Sequence, residues 1–204
     1  MRRSRTRLAP LAVAALLALS AAAPAAAAAK THRLGAGTAT FSLDPTETGK
    51  FLGMGIPPYP IFPARIAWSA TAVTLRIPIT GGTWTTGAGA HGTFLLGGGL
   101  AYVDPDMTTP FDVLDLTRWR AGVNTSAGIS VLVNGVRTSN FFDENLMGSI
   151  PSVVTIHGHK YAKVTGVLLF FNTTSATAIT TMFVTGPASG DPFGSATFLA
   201  RLKT

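Results

Sequence analysis

The chain has 204 residues, no cysteine and a formal charge of +7. Four of its 16 basic residues precede residue 30, so the remainder carries 12 against nine acidic residues and is close to neutral. This excludes disulfides, thiolate metal sites and a strongly electrostatic nucleic-acid binder.

Residues 1–29 have the form of a cleavable secretory signal. Arg2, Arg3, Arg5 and Arg7 make a cationic start, Leu11 to Leu19 is apolar, and Ala27-Ala28-Ala29 is a small-residue cleavage site. Pro10, Pro24 and the high alanine content weigh against an uncleaved membrane anchor. Residues 30–204 then form a single exported domain, with no transmembrane segment once the signal is removed: no later apolar run reaches the roughly 18–20 residues of a span.

The remainder reads as all-β. Charged residues make up 12% of the chain, against about 25% in an ordinary domain. Threonine, whose branched Cβ suits a pleated backbone, far outnumbers serine after residue 29. All 22 glycines follow the signal, mostly between apolar runs, as turn punctuation.

In chain order, Ala36–Leu43 predicts a strand. Asp44-Pro45-Thr46-Glu47 predicts a short helix, with Asp44 as cap, Pro45 in the first turn and Glu47 reaching back to the cap. Met54 to Pro63 is apolar and aromatic yet too proline-rich for a central strand. It reads as a lid over the core or as the wall of an apolar pocket offering the Tyr59 oxygen. Arg65–Ser69 is a strand. Val73, Leu75, Ile77 and Ile79 alternate with Thr74, Arg76, Pro78 and Thr80, which means a strand with one buried face. Pro78 marks an edge or a bulge, and Gly81-Gly82 a tight turn into Thr83-Trp84-Thr85. Gly92–Leu96, Leu100–Val103 and Val113–Ala121 are further strands. Ser130–Val133 and Val136–Thr138 flank Asn134-Gly135, a pair that tolerates positive φ at both turn positions, so they form a hairpin. Ser152–His157, Ala162–Phe171 and Ser195–Leu202 are strands. Asn172 caps a second helix that buries Ala176, Ile179 and Phe183. About ten short strands with two short capped helices predict a two-sheet β-sandwich. The two strand–cap–helix stretches, at Thr40–Asp44 and Leu168–Asn172, look like one unit used twice.

Chemistry is sparse. Gly87-Ala88-Gly89-Ala90-His91-Gly92 matches G-x-G-x-x-G, but its flanks read as strands, not as the strand and helix that phosphate binding needs. His157-Gly158-His159 reads as a wet turn, because a third metal ligand is missing. Asp104-Pro105-Asp106 and Asp143-Glu144 read as surface loop charge. No serine sits in G-x-S-x-G and no histidine–carboxylate pair stands out, so the chain is expected not to be an enzyme.

Pro78-Ile79-Thr80-Gly81-Gly82, His91-Gly92, Gly98-Gly99-Leu100, an Asp-bearing strand and the Asn134-Gly135 hairpin resemble secreted actinobacterial β-proteins. Those are similar in turn to the HtaA domain of haem-uptake proteins, over residues 37–202. The resemblance implies a two-sheet β fold with short helices. It also implies haem as a candidate cofactor, with Tyr59 as axial ligand and His91 supporting it. The expectation is a secreted, non-enzymatic domain of the cell envelope or extracellular space that binds an unidentified small ligand or surface partner. A haem module using Tyr59 and His91 is the alternative, and an extracellular hydrolase the second alternative.

Overall fold

In a computed structural model the chain is described over residues 28–87, 89–104, 113–124, 128–183 and 185–203. The expected signal (apart from its last two residues) and Pro105-Asp106 lie outside these residues. The elements run β1 (Thr31–Leu43), α1 (Pro45–Gly53), β2 (Pro58–Ile61), β3 (Arg65–Trp68), β4 (Val73–Thr85), β5 (His91–Leu96), β6 (Gly99–Val103) and β7 (Val113–Val123). They continue with β8 (Ile129–Val133), β9 (Val136–Asn145), β10 (Ile150–Ile156), β11 (His159–Phe171), α2 (Thr173–Phe183) and β12 (Pro192–Leu202).

The sandwich expectation is overturned. The strands form one sheet in the order β7-β5-β4-β1-β12-β11-β9-β8, and β8 returns to pair with β7. The result is a closed eight-stranded antiparallel barrel with four extra strands, β2, β3, β6 and β10. The seam is made by Leu116↔Val133, Thr117↔Leu132, Arg120↔Ser130 and Ala121↔Ile129. Strand composition and turn spacing suit either architecture. Closure depends on the stagger accumulated across many long-range pairings, which no local pattern displays.

Three of the extra strands, β3, β6 and β10, share an edge of a barrel strand with its other partner, and β2 pairs with β6. β5 and β6 run end to end along one edge of β7. The partner changes at a bulge between Thr117 and Arg120, where Arg118 adopts φ 47°. β3 and β5 likewise share one edge of β4. Pro78 lies in the gap between them, which leaves its missing N–H without consequence. Its carbonyl accepts from the Gly97 amide at 2.8 Å. Gly81-Gly82 does not turn the chain. β4 runs through it with a bulge after Ile79. Gly82 has φ 129°, and a Cβ there would lie 1.9 Å from the Thr93 carbonyl oxygen. The same glycine pair thus serves close backbone approach, not reversal. At Asn134-Gly135 the expected hairpin forms, with φ 46° and 84°. The 87–92 stretch follows β4 and its last two residues, His91 and Gly92, open β5, so no helix follows it.

The lumen is filled. Alternation turns Phe41, Trp84, Phe94, Trp119, Phe142 and Phe198 inward, all fully buried. Phe94 stacks on Phe198 at 5.0 Å, Phe142 on Phe193 at 4.3 Å, and Trp119 meets Phe41 edge-on at 5.2 Å. The Trp119 indole donates to the Leu116 carbonyl at 2.7 Å. Eight strands enclose just enough width for such side chains, so a ligand has to bind outside the lumen.

Candidate functional site

Both helices leave the same end of the barrel, after β1 and β11. At the first corner Asp44 accepts from the Thr46 and Glu47 amides at 2.9 and 3.0 Å, and Pro45 occupies the first turn. The reach-back by Glu47 does not occur, because the Asp44 amide is taken by the Phe193 carbonyl at 2.9 Å. The freed Glu47 carboxylate turns to Lys50 instead, at 2.5 Å. Asp191 stands 3.6 Å from the same ammonium. These carboxylates raise the Lys50 pKa, the hydrogen bond that Lys50 donates to Glu47 being the largest cause. Glu47 is only 5% exposed, and its second oxygen, Oε2, is enclosed without a hydrogen-bond partner.

This corner borders an open cleft of about 320 Å³ between α1 and the loop after α2. Phe51, Met54 and Pro187 give it apolar walls, and Glu47 and Lys50 are its charged lining. Thr185 donates to the Met54 sulfur at 2.7 Å across the cleft. Behind it Phe51 packs on Tyr102 with ring centroids 4.6 Å apart. Burial pushes the Tyr102 phenol far up, so it stays protonated. The arrangement suits a small, largely apolar molecule. A ligand hydroxyl, amide or amine reaching Glu47 Oε2 would gain a hydrogen bond, the compensation a buried unpaired oxygen lacks.

The structure does not bring Tyr59 and His91 together. Tyr59 pairs with Ala101, which pairs with Asp115. His91 pairs with Thr85 and precedes Gly92, which pairs with Val123. Asp115 and Val123 are eight positions apart on β7, so the two side chains sit roughly 25 Å apart along the barrel at 3.3 Å per residue. Tyr59 is 50% exposed on an edge strand. His91 is exposed, and its Nδ1 is 3.0 Å from the Gly89 carbonyl oxygen. The Met54–Pro63 stretch divides: Ile56 and Pro58 are buried, while Phe62 is 89% exposed.

His157 and Gly158 form the β10–β11 turn, both with positive φ. Among the described residues no three His, Asp or Glu side chains gather as a metal site. Asp143-Glu144 is not loop charge. Both residues lie on β9, where Asp143 accepts from Asn140 at 3.1 Å. Glu144 faces inward opposite Leu169, with Oε1 enclosed and unpartnered, and burial raises its pKa to about 8.

The cleft is the part that sequence reasoning missed. Its only local signal is Glu47 and Lys50 three positions apart on one helix face. The meeting of residues 54 and 185 is tertiary.

No family model matches the chain, and no curated protein matches it. Among solved structures the chain is similar to the haem binding protein HtaB from Corynebacterium glutamicum. The identity is 13%, the TM-score 0.45, and the alignment covers 86% of this chain and 96% of that one.

Proposed function

We propose that this is an exported, non-enzymatic binding domain, released from its leader after Ala29, whose ligand seat is the cleft at the helix end. The observation that carries the reading is the cleft itself. It joins apolar walls from Phe51, Met54 and Pro187 to a buried carboxylate with one oxygen unpartnered, while the lumen is filled with aromatic rings. The ligand class is a small, largely apolar molecule carrying a hydrogen-bond donor for Glu47 Oε2. Haem, the ligand implied by the sequence resemblance, is the first probe because the Met54 thioether would be a soft donor suited to iron, while its apolar edge would bring no hydrogen-bond donor to Glu47 Oε2.

The test is titration of 15N-labelled protein with haem, read by the Soret band and by amide shifts. The expected result is a Soret change at micromolar haem, with shifts centred on Lys50, Phe51, Met54 and Gly186, both lost in Met54→Ala. No spectral change removes haem as the ligand. Shifts centred on Tyr59 or His91 overturn the assignment of the seat.

A further inference from the structure

The end of the barrel opposite the helices carries a second and larger cavity that the reading above does not use. It lies roughly 40 Å from the helix end, the length of the 13-residue β1 at 3.3 Å per residue. The groove, of about 640 Å³, opens where β1 begins, β12 ends and the β10–β11 turn folds over.

Four cations line it, Lys30, Lys160, Arg201 and Lys203, together with His32 and His159. Among the described residues no carboxylate lines it, and none of the four cations has an ion-pair partner. Both ion pairs of those residues belong to Lys50 at the far end.

The groove is built, not merely decorated. Its floor is the bulge in β1 between Leu34 and Gly37, where register against β12 shifts. Gly35 and Ala36 occupy that bulge and contribute no more than a methyl group. A Cβ on Gly35 would stand 3.3 Å from Lys203 Cε, so the lysine stem lies across the bare backbone. The walls are pinned by main-chain bonds, Lys203 amide to Arg33 carbonyl at 2.8 Å and Thr86 amide to Lys30 carbonyl at 2.9 Å. The Arg201 guanidinium donates to His159 Nδ1 at 2.9 Å, which ties the tip of the β10–β11 hairpin to the end of β12.

Like charges held around a floor of backbone and small side chains repel one another, and an anion between them relieves that repulsion. We infer that this groove is a binding site for a soluble oligoanion of the phosphate type, carrying two or more negative charges and small enough to lie along the Gly35–Ala36 floor. Arginine and lysine donors give charge-assisted bonds to such oxygens. The site is independent of the helix-end cleft.

Isothermal titration of the protein with inorganic triphosphate at low salt tests this. Saturable one-to-one binding is expected. The double variant Lys160→Gln with Arg201→Gln should weaken it about tenfold or more, the effect of losing one charge-assisted bond. Ala36→Phe fills the floor without removing a charge and should weaken binding as well, which separates a shaped site from general attraction. Arg137→Gln, in a different cleft with Arg118 and Arg120, should leave binding unchanged. Thermal midpoints check that each variant is folded. Absence of saturable binding, indifference to the groove variants, or an equal loss in Arg137→Gln overturns the proposal. So does binding to phosphatidylglycerol vesicles without binding to triphosphate, because a flat bilayer does not reach the floor.

Discussion

The two strand-to-helix corners use the same backbone device for different ends. At the second corner Asn172 and Ser175 satisfy each other: the Ser175 amide donates to Asn172 Oδ1 at 3.0 Å, and the Asn172 amide to Ser175 Oγ at 2.8 Å. The Asn172 side chain also donates to the Asn140 carbonyl and, at 3.3 Å, to Asp143. No charged residue lies in α2, and its buried stripe ends on Ile179 and Phe183. At the first corner the cap is charged, the third helical position is a buried glutamate, and the flanking cleft has apolar walls, whereas the cleft beside α2 is lined mostly by threonines. A corner whose polar groups all bond internally closes a core. A corner that leaves a buried oxygen unpartnered beside an apolar wall has capacity for a ligand.

Substitutions separate the two roles. The largest effect is expected from Ile179→Ala, which empties a fully buried site under α2 and should cost about 2–4 kcal/mol. Urea unfolding measures that loss, and ligand titration should be unaffected in the folded fraction. Asn172→Ala should cost about 2 kcal/mol, because a cap and a buried carbonyl lose their partner together. Asp44→Ala should cost about 1 kcal/mol, since only a half-exposed cap is lost. Equal losses at the two caps would erase the distinction between the corners.

A pH series probes the barrel wall beside the second corner. The Glu144 pKa is about 8 in the folded protein and 4.5 as the ordinary value. The native state therefore holds a proton that the unfolded chain releases. This group's contribution is most favourable below about pH 4.5 and is lost progressively as pH rises through about 8. Thermal midpoints between pH 5 and 9 should fall less steeply in Glu144→Gln than in the parent. The smallest effects belong to the residues that sequence resemblance favoured. Tyr59→Phe and His91→Ala are exposed changes and should each stay within about 0.5 kcal/mol by the same unfolding assay.

What the sequence displays is local. Alternation from Val73 to Ile79, the Asn134-Gly135 turn and the caps at Asp44 and Asn172 each depend on neighbours a few residues away, and each appears in the structure. Glycine was ambiguous. Gly81-Gly82 resembles a turn, yet close approach to Thr93 requires the same residue type. Closure of the barrel, the meeting of Met54 with Thr185, and the separation of Tyr59 from His91 are products of long-range pairing, so no window of residues contains them. The sandwich expectation failed for that reason, and the shared-site expectation for Tyr59 and His91 was not supported by their placement.

The closed ring makes one demand that an open pair of sheets does not: every one of its eight strands must be paired along both edges at once, β7 by β5 on one side and β8 on the other. Nuclear Overhauser contacts and amide exchange across all eight pairings test it directly, with Ala121 on β7 as one link. The account predicts contacts from Ala121 to Phe94 on one side and to Ile129 on the other, with slow exchange on both edges of β7. Contacts to Phe94 alone, with fast exchange along the β8-facing edge, would contradict it.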